Sequence, residues 1–175
     1  GPQGVPEAVY TRLRVERGIR PAAPVVTGYL SRADKPSQLL QILGIDPFAE
    51  GPFRDPAADI TGNRFDLRAL LLHPDAALLP QALGESVTLQ KGAQRFALQR
   101  AGTLDGPELE GLIVTDISTA QSLFGQPGRL SHIDLIVPDG PDGERLAAEI
   151  RAWLPPDLRL ENPEGRSLAT RDLSA

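Results

Sequence analysis

The stretch from Gly111 to Val137 limits the possible folds more than any other part of the chain. Leu112, Ile113 and Val114 form a short apolar run of the kind a buried strand requires. Asp116 or Ser118 can cap a following helix, and Ser118-Thr-Ala-Gln121 has the spacing of a capping box. Ile117, Ala120 and Phe124 fall at i, i+3 and i+7 and make one apolar stripe. Gly125 suits the left-handed residue that ends a helix, and Pro127 follows it. Ile133, Leu135 and Val137 then alternate with His132, Asp134 and Ile136, predicting a strand with one apolar face. The unit reads strand, helix, turn, strand. It holds no nucleophile with a base, no metal-ligand spacing and no phosphate loop.

The 175 residues suit one domain or two small lobes sharing a core. Aromatic residues make up only 5%, so the core must be built from Leu, Val, Ile and Ala. Seventeen Pro and seventeen Gly argue for many short elements joined by turns. A net charge of −5 argues against nucleic acid as a partner, because phosphate binding needs a basic face. There is no Cys, hence no disulfide framework and no thiolate chemistry. There is also no Met, which leads us to expect that the chain begins inside a longer protein. Gly1-Pro2 resembles the remnant of a protease cleavage. The longest apolar runs, Leu70–Leu72 and Leu112–Val114, fall far short of the roughly 18–20 residues that span a membrane.

In chain order, Pro6 to Arg17 predicts a helix with Val9 and Leu13 inward. Pro24 to Leu30 and Leu39 to Ile45 predict strands. Residues 46–64 are rich in Pro and Gly without a period and read as a long irregular loop. Phe48, Phe53 and Phe65 lie in or beside it, either fastening the loop to the core or forming a contact surface. Asp66 is expected to cap a short helix through Leu72, and Ala76–Leu79 to form a strand. Val87–Gln90 and Arg95–Gln99 predict a hairpin with its tip at 91–94, and Leu109–Thr115 a strand. Asp142 is expected to cap a helix burying Leu146, Ile150, Trp153 and Leu154, which Pro155-Pro156 stops. Leu158–Leu160 reads as a short strand, and Ser167 to Ala175 as a frayed end or the start of a helix. The resulting class is α+β, with residues 3–36 and 111–165 as an outer lobe around an inserted β-rich lobe, 37–110.

The groups capable of chemistry are scattered. His73 and His132 would ligate a metal only if the fold joined them. His132 with Asp134 reads as a solvated pair on a strand. The pairs Asp139 with Asp142 and Glu108 with Glu110 sit in turn-like surroundings that favour capping over acid–base work. Ser131 and His132 point to opposite faces of a strand, a poor geometry for a nucleophile and its base. Arg12, Arg14, Arg17 and Arg20 form either a solvated face or a contact for anionic lipid or a partner. No catalytic, cofactor-binding or metal residue emerges.

The same stretches resemble a known family. Gly111 to Gly125 and Gly128 to Val137 look like the segment preceding the second transmembrane helix of FtsX-like ABC transporter permeases of the large variety with about ten such helices. Ala23-Pro-Val-Val-Thr-Gly28, Leu43-Gly-Ile-Asp-Pro-Phe48 and Leu154 to Pro163 extend the similarity, which runs from about Pro6 to Ser174. The resemblance implies a MacB-like periplasmic core domain, with a Porter-like α/β sandwich lobe made from both chain ends and an inserted Sabre-like β-rich lobe. It makes residues 166–175 the lead-in to a transmembrane helix. Relatives carry a longer stretch before the hairpin, whereas here Leu83-Gly84-Glu85-Ser86 runs almost directly into Val87, implying a trimmed insert.

The function so implied is that of a non-enzymatic periplasmic domain of an inner-membrane permease, without cofactors. Its partners would be a cytoplasmic ABC ATPase, acting through the membrane-embedded parent, and a periplasmic protein or lipoprotein. Contacts are expected in the 46–65 loop and the 91–94 hairpin tip. The alternatives are a stand-alone module that binds a small ligand or a protein and a hydrolase assembled only by the fold.

Overall fold

The computed structural model describes residues 4–15, 22–48, 67–161 and 170–174, which form a strand-rich mixed α/β structure. They fall into two units, one made of 4–15, 22–25, 128–161 and 170–174, the other of 26–48 and 67–127.

The first unit opens with β1 (Val5–Pro6) and α1 (Glu7–Val15), which buries Val9 and Leu13 as their spacing predicts. The start of β2 (Ala22–Arg32) pairs with β9 (His132–Ile136), Ala22 opposite Leu135 and Val25 opposite His132. β11 (Thr170–Ser174) lies on the other side of β9 and carries β10 (Arg159–Glu161) beyond it. The sheet order is therefore β10-β11-β9-β2, with every pairing antiparallel. β8 (Arg129–Leu130) pairs separately with β1. On β9 the alternation holds, with Ile133 and Leu135 fully buried and Val137 continuing the face.

Two expectations change in this unit. Residues 170–174 form a strand and not a frayed end or helix start, because β9 offers them a complete antiparallel register. The helix α3 (Pro141–Trp153) starts from Gly140, not from an Asp142 cap. Pro141 occupies the first turn, where its missing N–H costs nothing, and Asp142 sits one residue on, paired with Arg145 at 3.3 Å.

The second unit contains the rest of β2, β3 (Leu39–Ile45), β4 (Ala76–Pro80), β5 (Ser86–Lys91), β6 (Gln94–Leu104), β7 (Leu112–Asp116) and α2 (Ile117–Phe124). Its strands follow the order β2-β3-β7-β4-β6-β5, and β5 pairs back onto β2 through Ser31 with Gln90 and Arg32 with Leu89. The sheet thus closes on itself, which removes the open edges that otherwise invite association. β3 with β7 and β4 with β6 are parallel, β4 with β7 and β5 with β6 antiparallel. β4 is buried at all five positions. Leu78 joins a cluster with Ile45, Leu67, Leu70, Leu104, Leu109 and Val114, while Ala77 and Leu79 face the opposite way along the strand.

The helix expected from Asp66 is a 3-10 turn over Leu67–Leu71, with Asp66 itself outside the described residues. The strand expected from Leu109 begins at Leu112, after a further 3-10 turn at Pro107–Leu109. The predicted outer lobe took in 111–127, whereas the second unit holds β7 and α2, because β7 pairs with β3 and β4.

α2 shows how local sequence sets position. Its cap is Asp116, which accepts a hydrogen bond from the Ser118 amide at 3.2 Å and another from the Ser118 hydroxyl. Ser118 therefore lies inside the first turn, the capping box does not form, and Gln121 is buried instead. Gly125 ends the helix in the left-handed conformation, φ 65°, as expected. Asp116→Ala should cost about 1 kcal/mol in urea unfolding, and Asp116→Asn much less, because Asn caps equally well.

Candidate functional site

A hollow of the second unit lies where α2, the 73–75 turn and β6 meet. The Thr119 hydroxyl donates to the Pro74 carbonyl at 2.8 Å, tying α2 to the turn. The Gln99 amide donates to the Asp75 carbonyl at 2.7 Å, tying the turn to β6. Between them is a cleft of about 500 Å³. The buried Leu70, Leu98 and Leu123 form its floor, and Pro74 and Phe96 its walls. His73, Asp75, Asp116, Ser118 and Ser122 bring polar groups to it, and among the described residues neither Lys nor Arg lines it. Leu71, 42% exposed, also lines the cleft, and the next residue, Leu72, is 73% exposed.

Of the sequence-predicted candidates, His73 reaches this cleft. His132 belongs to the first unit, so the two histidines lie in different units. Nε2 of His132 is 3.4 Å from Asp134 Oδ1, and both side chains are partly covered. This pair is less solvated than expected because β9 is an inner strand flanked by β2 and β11. Ser131 donates its backbone amide to the Val25 carbonyl, a sheet contact. Asp139, Glu108 and Glu110 are exposed, the last beside a smaller hollow of about 230 Å³. Among the described residues no three His, Cys, Asp or Glu side chains are grouped to hold a metal.

The arginine group divides. Arg12 stacks over the Trp153 ring at 4.8 Å, and Arg14 donates to the Tyr10 hydroxyl at 2.8 Å, so both serve packing. Arg17 and Arg20 lie outside the described residues, as do Phe53 and Phe65, while Phe48 is 65% exposed. At the hairpin tip, Lys91 Nζ donates to the Phe124 carbonyl at 2.6 Å, placing a cation at the C-terminal end of α2.

Two polar arrangements escaped the sequence reading. Arg100 on β6 is almost buried and donates to the carbonyls of Leu79, Pro80, Gly84 and Gly102 and to the Thr103 hydroxyl. In the turn after β2, Arg32 grips Asp34 through two 2.8 Å hydrogen bonds. That hydrogen-bonded guanidinium holds the exposed Asp34 carboxyl below the usual carboxylate range. A depressed pKa favours the ion, so the contact is intact above the ordinary carboxylate pKa and is lost as pH falls through the depressed value. An NMR titration should show the Asp34 midpoint rising towards the ordinary value in Arg32→Gln; an unchanged midpoint would contradict this assignment.

Comparison with known proteins follows the fold. No protein-family model matches the chain. It is 37% identical, over 94% of its length, to the uncharacterized ABC transporter permease protein Rv0987 of Mycobacterium tuberculosis. The chain spans about a fifth of that protein, 20% of its length. In the described residues no helix is long and apolar enough to cross a membrane. Among solved structures, the extracellular domain of the noncanonic ABC-type transporter YknZ from Gram-positive bacteria matches with a TM-score of 0.51 at 12% identity. The match covers 98% of this chain and 90% of that one. The chain is thus similar in sequence to one part of an ABC transporter permease and similar in fold to the extracellular domain of an ABC-type transporter.

Proposed function

We propose that this chain is the extracytoplasmic domain of an FtsX-like ABC transporter permease of the large, ten-helix type, with a MacB-like periplasmic core, anchored in the inner membrane. The observation that carries the reading is the 37% identity that runs across 94% of the chain. The fold of a transporter's extracellular domain agrees with it.

In this reading the domain is not an enzyme. ATP hydrolysis by a cytoplasmic subunit moves the transmembrane helices, and the domain passes that movement to a periplasmic lipid, lipoprotein or peptide, or to a protein partner. Each unit must keep its own shape under load, or the movement is absorbed before it reaches the partner, so transmission has to show as a displacement of one unit against the other. The closed sheet of the second unit and the Arg100 contacts give that unit internal stiffness.

The test uses the parent permease with its ATPase. Spin labels at the exposed Glu108 and Glu149, replaced by cysteine, report one distance across the domain. The distance distribution is expected to shift between the nucleotide-free and the ATP-trapped complex. An identical distribution in both states, with ATPase activity intact, would contradict transmission through this domain.

A further inference from the structure

The cleft between α2, the 73–75 turn and β6 combines an apolar floor with acidic lining residues. Its floor is made of buried leucines, and among the described residues its ionisable lining groups are Asp75, Asp116 and His73, with no Lys or Arg. At about 500 Å³ it falls within the size range of small-molecule sites, roughly 300–1,000 Å³. We propose that this cleft binds a small amphipathic amine, with its hydrocarbon part on Leu70, Leu98 and Leu123 and its ammonium group facing Asp75 and Asp116.

Charge complementarity selects this occupant. An aliphatic chain of any kind gains from leaving water for the leucine floor. A carboxylate or phosphate head would then meet two carboxylates with no Lys or Arg among the described lining residues to offset them, and like charges held together in a partly desolvated site repel. An ammonium head meets the opposite sign and can donate to both. Asp116 keeps free acceptor capacity for this, since it takes its two bonds from Ser118 through one oxygen, Oδ2. Asp75 is held in place through its own carbonyl, which accepts from the Gln99 amide. The turn and α2 are fixed to each other by the Thr119 hydroxyl bond to Pro74, so Asp75 and Asp116 line a site already formed. The cleft lies wholly within the second unit, so its occupancy is testable on this chain whatever protein carries it.

Octylamine, octanol and octanoate share one tail and differ in head charge at neutral pH. Titrated into the chain and followed by NMR, octylamine is expected to bind about tenfold or more tightly than octanoate, with octanol between them. The double variant Asp75→Asn with Asp116→Asn should bring the three together, because Asn keeps the α2 cap while removing the charge. Ser122→Trp, at an exposed lining position, should block the cleft and abolish octylamine binding. Octanoate binding as tightly as octylamine would overturn the proposal, as would unchanged octylamine binding in Ser122→Trp or the absence of saturable octylamine binding. The head-group comparison on the unsubstituted chain decides the matter even where a variant fails to fold.

Discussion

Arg100→Ala is expected to lower the unfolding free energy by about 2–4 kcal/mol, read as a drop in the urea midpoint at unchanged slope. The side chain sits on β6 at an irregularity of the β4–β6 register, where Ala77 faces Arg100 but Leu78 faces Gly102, leaving Ala101 as an extra residue. An extra residue in a strand leaves backbone groups without ladder partners. Arg100 supplies donors there, reaching Leu79, Pro80, Gly84 and Gly102 with its nitrogens, while its ion pair with Glu85 at 3.8 Å is loose and exposed. Alanine removes the donors and leaves the carbonyls of the buried Leu79 and Pro80 short of partners, which is the expensive way to lose a hydrogen bond. Arg100→Lys should fall between, since a single ammonium cannot span the fork of acceptors. Glu85→Ala should change stability by less than about 0.5 kcal/mol. A loss below that same value for Arg100→Ala would show that water replaces the guanidinium without penalty.

Gly44→Ala should destabilise by about 1–3 kcal/mol, for a reason visible in one contact. A Cβ on Gly44 would lie 2.5 Å from the Cβ of Ala120, which is fully buried on α2, and 3.4 Å from Val26. Neither neighbour has a flexible end to move aside, so helix and strand must part. Gly28 makes a similar notch under the Phe124 ring, where an added Cβ would meet ring atoms at 2.7 Å. The helix is seated on β2 and β3 through these two glycines. Ala120→Gly alone should cost about 1 kcal/mol of helix propensity. In the Gly44→Ala background the same change should recover stability, giving a coupling of opposite sign to the two single effects. Simple additivity of the two losses would mean that α2 does not rest on β3 as described.

What could be read in the sequence was whatever depends on local period and punctuation. Leu39–Ile45 appears as the strand read from its composition, and the alternation around Ile133 and Leu135 marks the buried face of β9. Gly125 ends α2 where its conformational freedom indicates. Arrangements that depend on partners distant in sequence were not legible. Nothing around Arg100 announces acceptors twenty residues upstream, and nothing near Ser31 announces Gln90 as the pairing that closes the sheet. The polar C-terminal residues became β11 because β9 had a free side to pair with, a fact about β9 and not about Thr170–Ser174. In the sequence His73 stands out only as a metal ligand in want of partners, whereas its surroundings in space are a leucine-floored cleft formed by α2 and β6. The capping box failed because Asp116, two residues earlier, took the cap first.

The central claim is that this domain stands on the outer side of a membrane as part of a permease. The chain has no Cys, so a single cysteine placed in it is a clean reporter against a parent whose other cysteines, where present, are replaced. Glu108→Cys and Glu149→Cys change exposed positions in the two units. In intact cells expressing the parent protein, a membrane-impermeant maleimide should label both positions without lysis, provided access through any outer layer is open to it in a control protein. Labelling of both only after the cells are broken would place the domain on the cytoplasmic side and contradict the account.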